Sequence, residues 1–357
     1  MATAEMRERV TEWLTSSDTC YLIGAGCSHC AGKPLIAKLT EDVIANLDIS
    51  IKNEFSGLKA AAGRAPTIED FINYLVRYSS ILTTVADPTL HKLKPDWIED
   101  ALKKIKNGIV DAIVDDWVVS PVHQRFFQRV RPQKKPLDIF SLNYDTAIEA
   151  SLDSMRANYI DGFRGSNRAW FDPSTFDEVI PVGGVIRIYK LHGSINWLRE
   201  PTGHIRRAVV RSIDDLKDEP VVVYPSEQKY LQTQYGVYES MMGRFRARLR
   251  GNGVNATLVV MGYSFNDEHI NEAIVDAVTS AKSNLTVIAF IGPEADVPTQ
   301  KARIEALAAR CDQRFNAYIG DTSWVGSALT AEESRELLKE QLWQFENIVD
   351  FIAGPAA

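Results

Sequence analysis

The 357-residue chain contains no run of about 18 apolar residues, which excludes an obvious transmembrane helix. Its N-terminus, MATAEMRERVTEWL, lacks the charged-then-apolar layout of a signal peptide and reads instead as an amphipathic helix. Cysteine is scarce. Cys20, Cys27 and Cys30 are clustered and Cys311 stands far away, a distribution unsuited to a disulfide framework, so reduced thiols and a cytoplasmic setting are expected. Positive charge is not in excess either. A net charge of −7 argues against double-stranded nucleic acid as a direct partner, because neutralising phosphates requires a basic surface. The one arginine-rich stretch, Arg244, Arg246, Arg248 and Arg250, has a spacing of two that spreads its charges around a helix. Internal repeats and low-complexity tracts are absent.

What remains is a globular composition, 45% apolar and 24% charged, large enough for one large domain or two modest ones. CYLIG (20–24) is a short buried run ending in glycine, and PLIAKLTEDVIANL after it has Leu35, Leu39, Val43 and Leu47 on one helical face. Residues 50–136 have helical spacing throughout. TIEDFINYLVRYSSILTTVA opens on a Thr-x-x-Asp pattern close to a capping box. In the stretch 96–119, Ile98, Leu102, Ile105, Ile109, Ile113 and Trp117 mark a second helix, and PVHQRFFQRV adds a short third one.

From residue 137 apolar strands return: 137–142, 185–191, 221–224, 256–263, 285–292 and 315–320, several separated by helical patterns such as 227–249. The Gly-, Pro-, Asp- and Asn-rich segment 160–183 reads as a loop, and the tail as one more amphipathic helix. Buried strands alternating with helices predict an α/β fold, a Rossmann-like doubly wound parallel sheet. Its core is expected over 1–49 and 137–357, with a helical insertion over 50–136.

In such sheets ligands sit at the carboxyl ends of strands. The first strand is followed by Gly24-Ala25-Gly26-Cys27-Ser28 and then Gly32-Lys33-Pro34, a loop that could cradle a pyrophosphate or simply turn tightly. It is not the dehydrogenase fingerprint, because His29 stands where the third glycine would be. Cys27-Ser28-His29-Cys30 raises a metal or redox alternative, but no second cysteine pair supplies the four ligands of a zinc site. After 137–142 comes Asn143-Tyr144-Asp145, compatible with plain helix capping or with chemistry. After 185–191 comes His192-Gly193, a structural imidazole or an acid–base group. After 256–262 comes Tyr263-Ser264, with Asn266 or Asp267 as a helix cap.

Taken in order, GAGCSHCAGKP, SLNYD, KLHGSINW and MGYSFND resemble the sirtuin-type NAD-dependent proteins across nearly the whole chain outside the insertion, and look closest to bacterial sirtuin-like domains of anti-phage defence. The resemblance implies NAD as substrate. Gly24, Ala25, Gly26 and Ser28, with Pro34 in the same loop, would contact its phosphates and neighbouring ribose. Asn143 and Asp145 would face the nicotinamide ribose and amide, His192 would be the catalytic imidazole, and Gly262 and Ser264 would support the adenosine side. The deacylases of that family usually carry two Cys-x-x-Cys pairs after His-Gly, whereas here no cysteine lies between His192 and Cys311. No zinc-ribbon module and no metal are therefore expected. The expected activity is hydrolysis of NAD to nicotinamide and ADP-ribose by an NAD-depleting effector of antiviral abortive infection. A protein deacylase and a non-catalytic NAD or ADP-ribose sensor are the alternatives. The resemblance further implies self-assembly into a homo-oligomer and a separately encoded HerA-type ring ATPase as partner, with no membrane contact.

Overall fold

The computed structural model describes residues 2–61, 65–84, 92–114, 119–131, 135–166, 168–178, 184–200, 202–208, 219–222, 236–251, 255–294 and 297–355. Helix α1 (Ala2–Thr15) leads into β1 (Thr19–Ile23) and a 3-10 turn, Ala25–Ala31. Five helices follow: α2 (Ile36–Ala45), α3 (Ile49–Ala61), α4 (Ile68–Thr84), α5 (Pro95–Ile113) and α6 (Pro121–Arg129). The chain then runs through β2 (Leu137–Ser141), α7 (Ala147–Ser154), β3 (Tyr159–Ile160), β4 (Phe163–Arg164), β5 (Ala169–Phe171), β6 (Ile186–Lys190), β7 (Gly193–Arg199), β8 (Ile205–Arg207) and β9 (Glu219–Val222). It closes with α8 (Val237–Arg250), β10 (Asn255–Met261), α9 (Glu268–Thr279), β11 (Asn284–Ile291), α10 (Val297–Ala309), β12 (Phe315–Ile319), β13 (Ser323–Val325), α11 (Ala331–Lys339) and α12 (Phe345–Ala353).

Eight strands form the main sheet in the order β13-β12-β11-β10-β1-β2-β6-β3, parallel except for the β12–β13 edge pair. The doubly wound parallel α/β architecture expected from the sequence is thus present. Alternate residues of each strand go to opposite faces, as the two-residue period of a strand requires. Cys20 and Leu22 of β1 join an apolar layer with Phe245 of α8 and Ile274 of α9. Tyr21 and Ile23 join the opposite layer with Val10 and Leu14 of α1, Phe126 and Phe127 of α6, and Val349 of α12. Burial on both faces is why these strands read as continuous apolar runs.

The helices α2–α5 build a third apolar cluster around Val43, Phe71, Ile72, Leu75, Ile105 and Ile109, and Tyr144 and Ile195 from the strand ends are part of it. The Thr67–Asp70 capping box forms as the spacing predicts: Thr67 N–H donates to Asp70 Oδ2 at 2.7 Å and Asp70 N–H to Thr67 Oγ1 at 3.2 Å. Leu35 departs from its expected place on the buried face of α2; it precedes the helix as its N-cap and is 43% exposed. Trp117 of the predicted 96–119 helix lies outside the described residues.

A second sheet, order β4-β5-β8-β7-β9 and antiparallel throughout, was not expected. The segment 160–183, read from sequence as loop, supplies β4, β5 and a 3-10 turn, Pro173–Asp177. Strand 221–224 falls in this sheet rather than the parallel one: β9 covers Glu219–Val222, and 223–224 lie outside the described residues, as do 227–235 of the predicted 227–249 helix. Two arginines of α8 serve the fold. Arg244 pairs with Asp177, and Arg248 with Asp138 at 3.0 Å.

The main sheet reverses its winding at β1, which lies between β10 and β2, and ligands of doubly wound folds bind at such a switch point. There the two loops leaving β1 and β10 cross at van der Waals limits. Gly26 N–H donates to the Gly262 carbonyl at 3.0 Å. A Cβ on Gly24 would stand 2.4 Å from Gly262 O, and one on Gly26 2.7 Å from Gly262 Cα. Gly262 has φ +65°, and a Cβ there would stand 2.5 Å from Cys27 N. Gly262→Ala is expected to lower stability by on the order of 2–5 kcal/mol, from left-handed strain plus overpacking. Gly57→Ala on the open face of α3, where nothing lies within 4 Å, should raise it by about 0.5–1 kcal/mol. Urea-unfolding midpoints of the two variants check this contrast.

Candidate functional site

The residues that follow β1, β2, β6 and β10 converge at the crossing. The glycine loop is fastened by its own backbone: Gly24 N–H donates to Met261 O at 2.9 Å and Cys27 N–H to Gly24 O at 3.0 Å, while Ala25 stays exposed. Ser28 in the 3-10 turn is buried and accepts a hydrogen bond from Asn143 Nδ2 at 2.8 Å. The other proton of that amide goes to the Gly24 carbonyl at 3.0 Å. Two acceptors therefore fix the amide's orientation. Its Oδ1 is buried and receives no hydrogen bond from any described residue, although buried polar atoms nearly always have a partner.

Asp145 lies in the same loop, one residue before the N-cap Thr146 of α7, and its Oδ1 accepts the Ala147 N–H at 3.0 Å in an Asx turn rather than a cap. Its carbonyl takes a hydrogen bond from Lys190 Nζ. Lys190, only 1% exposed, also stands 3.5 Å from Glu149 Oε1. Burial pushes the Glu149 carboxyl up and the Lys190 ammonium pulls it part of the way back. Removing one partner of such a buried pair costs on the order of 3–5 kcal/mol, so the pair fixes the loop beneath Asn143 rather than offering a free charge. The Tyr144 carbonyl accepts from Ile195 N–H at 2.9 Å and Ser194 Oγ at 3.2 Å, tying this loop to β7.

His192 sits where the chain leaves β6 in one sheet and enters β7 in the other, a transition made at Gly193 with φ +83°. Its Nε2 is 2.9 Å from Asp267 Oδ2, with the two side chains 12% and 7% exposed. Burial pushes the Asp267 carboxyl up, but the hydrogen bond and charge of His192 and the N–H groups of His269 and Ile270 outweigh it, and the group is held below the ordinary carboxylate range. Sequence reasoning foresaw Asp267 only as a cap. Glu69 of α4 was missed altogether: the Tyr144 hydroxyl donates to its Oε1 at 3.3 Å, and its carboxyl is raised by burial against the opposing pull of His192. No local signal marks it, since it occupies the first turn of an ordinary capped helix.

Ser264 is engaged by neighbours of its own. Its Oγ accepts from Asn266 Nδ2 at 2.9 Å, and its carbonyl accepts from Arg303 at 3.1 Å. Pro34 is half-buried between the 3-10 turn and α2. A cavity of about 210 Å³ lies between α9 and α10, lined by Phe265, Asn271, Glu272, Arg303 and Arg310. Neither Asn143 nor His192 lines it.

The thiols have no such setting. All four cysteines are free. Cys30 Sγ contacts the Cys27 carbonyl at 3.2 Å and lies 3.7 Å from Ser120 Oγ and 3.8 Å from His123 Nδ1. Burial pushes the Cys30 thiol up to about 11 and raises the Cys27 thiol well above its ordinary value, so neither is the ready thiolate that redox exchange needs. Among the described residues no group of three or more His, Cys, Asp or Glu could hold a metal ion, and no helix is long and apolar enough to cross a membrane.

Residues 138–312 match the family model of the SIR2-like domain, a span that includes Asn143, Asp145, His192, Gly262 and Ser264. No curated protein matches the chain. Among solved structures, a Sir2 homologue in complex with NAD aligns at 13% identity over 96% of this chain and 94% of its own, with a TM-score of 0.40. A structure described as bearing on the mechanism and regulation of Sir2 enzymes aligns at 12% identity over 96% and 98%, with a TM-score of 0.41. A mutant Sir2 homologue bound to ADP-ribose aligns at 12% over 96% and 98%, with a TM-score of 0.36.

His123, tilted against the Phe345 ring at 5.0 Å with no solvent exposure, provides a pH test of this packing. Burial lowers it from 6.5 to about 4. Between those values the unfolded chain binds a proton that the folded chain does not, so stability falls as pH drops through the window, by at most about 1.4 kcal/mol per unit from this group. His123→Phe is expected to flatten that slope in urea titrations run between pH 6.5 and pH 4.

Proposed function

We propose that the 24–34 loop and the SIR2-like segment form one NAD pocket, and that the protein hydrolyses NAD to nicotinamide and ADP-ribose. The observation that carries this is the Asn143 amide. Both its protons are held, by Gly24 and Ser28, and its buried Oδ1 is left as an acceptor at the junction of the strand ends. A ribose hydroxyl or a reacting water is a hydrogen-bond donor that fits such an atom.

Nicotinamide is cationic while bound and neutral on leaving. Breaking its bond to ribose C1′ leaves an oxocarbenium-like carbon, as in glycoside hydrolysis. Water attacks that carbon, its oxygen forms the new bond, and a proton passes to a base. In this reading Asn143 orients the ribose hydroxyls or the water, His192 accepts the proton, and Asp145 bounds the nicotinamide end. Gly24, Ala25, Gly26, Ser28 and Pro34 form the phosphate side, and Gly262 and Ser264 the adenosine side. Water is the simplest nucleophile, because the zinc-bearing cysteine pairs of the deacylases have no counterpart between His192 and Cys311. We read residues 50–136 as a helical insertion on this core and the whole as an NAD-depleting effector of bacterial anti-phage defence. It would assemble with itself and with a separately encoded HerA-type ring ATPase.

Asn143→Ala and His192→Ala should each lower NAD turnover by on the order of 100-fold or more while leaving the circular dichroism spectrum unchanged. Release of nicotinamide is measured for the chain alone and with its neighbouring gene's product. Wild-type rates in both variants would remove the assignment.

A further inference from the structure

The reading of His192 as a base leaves undecided which ring nitrogen acts, and the contact with Asp267 bears on that. We infer that Asp267 is a positioning residue that fixes His192 as the Nε2-protonated tautomer and leaves Nδ1 as the ring's basic nitrogen. The functional half of this inference rests on the NAD-cleaving reading; the tautomer does not.

Three observations carry it. The Nε2–Oδ2 separation is 2.9 Å with both side chains largely buried. A carboxylate can only accept, so the proton of the shared hydrogen bond belongs to Nε2, and the tautomer of an imidazole follows the bond that one nitrogen makes. Second, the two oxygens of Asp267 have separate tasks. Oδ1 caps α9, accepting from His269 N–H at 2.9 Å and Ile270 N–H at 3.4 Å, and Oδ2 is directed at His192. The cap fixes the carboxylate plane and thus the place of the second oxygen.

Third, the loop that delivers Asp267 is stitched to itself. The Tyr263 hydroxyl accepts from Asp267 N–H at 3.1 Å and lies 3.0 Å from Asn271 Oδ1, and Asn271 Nδ2 donates to the Phe265 carbonyl at 3.0 Å. Phe265 is buried in the left-handed region at φ +58°, which a bulky residue occupies only where its surroundings impose it.

Asp267→Asn separates the two tasks. Its side-chain oxygen keeps the cap, while its amide now presents N–H to His192, so Nε2 must accept and the proton moves to Nδ1. Full-length protein labelled with ¹⁵N-histidine reports the ring nitrogens directly, and His192→Ala identifies the signal among six histidines. The expected result is an Nε2-protonated ring in the wild type, the opposite tautomer in Asp267→Asn with an unchanged unfolding midpoint, and a fall in kcat of about 10²–10⁴-fold with little change in KM. Asp267→Ser, which keeps a capping hydroxyl but cannot reach the ring, should show averaged ring shifts and covers the case in which the asparagine variant folds poorly. An Nδ1-protonated wild type, or a tautomer indifferent to both substitutions, would overturn the role of Asp267. A tautomer that inverts in a protein that never cleaves NAD would support the role of Asp267 and overturn the NAD-cleaving reading instead.

Discussion

The contact on which the rest depends is between two backbones. Gly24 and Gly26 meet Gly262 at distances that leave no room for a Cβ on any of the three. Because that crossing is made of main chain alone, the loops after β1 and β10 are fixed relative to the sheet rather than floating above it. Everything with chemical character is hung from them: Ser28 and the Gly24 carbonyl hold Asn143, and the loop after Gly262 carries Asp267 to His192. Glycine serves here as close packing between protein segments, before any ligand is considered.

Around that crossing, buried polar groups are matched in ways that restrict freedom instead of adding much net stability. The Lys190–Glu149 pair is an example. Desolvation of both charges offsets most of their attraction, yet the ammonium also holds the Asp145 carbonyl and so defines the backbone beneath Asn143. The Tyr144 carbonyl joins the same loop to β7, and the Tyr144 hydroxyl reaches Glu69 in the helical segment. The electrostatics of His192 thus involve the parallel sheet, the small antiparallel sheet and α4 together.

The parallel sheet was legible because burial on both faces turns each strand into an unbroken apolar run, and the polar residues of interest follow those runs directly. Asn143, Asp145 and His192 could be named for that reason. The second sheet was illegible because three of its strands, β4, β5 and β8, are two or three residues long and lie among Gly, Pro and Asp, where periodicity has no length over which to develop. Asp267 was legible as a cap and not as a partner of His192, since one oxygen obeys a local rule and the other a contact 75 positions away. Glu69 gave no sign, because its role depends wholly on where α4 docks. The two glycine motifs were seen, but that they answer each other's shape is a property of the crossing and of neither motif alone.

The cysteine-bearing turn has one more property. Cys27 and Ser28 point inward and are committed to packing and to Asn143, whereas Ala25 and His29 face outward from a main chain that cannot shift. Such an arrangement separates frame from rim. A lineage, or a laboratory, can exchange residues 25 and 29 for larger, smaller or charged ones and alter the outer surface of this turn without rebuilding the scaffold that holds it. The histidine that breaks the dinucleotide fingerprint stands at one of those two adjustable places.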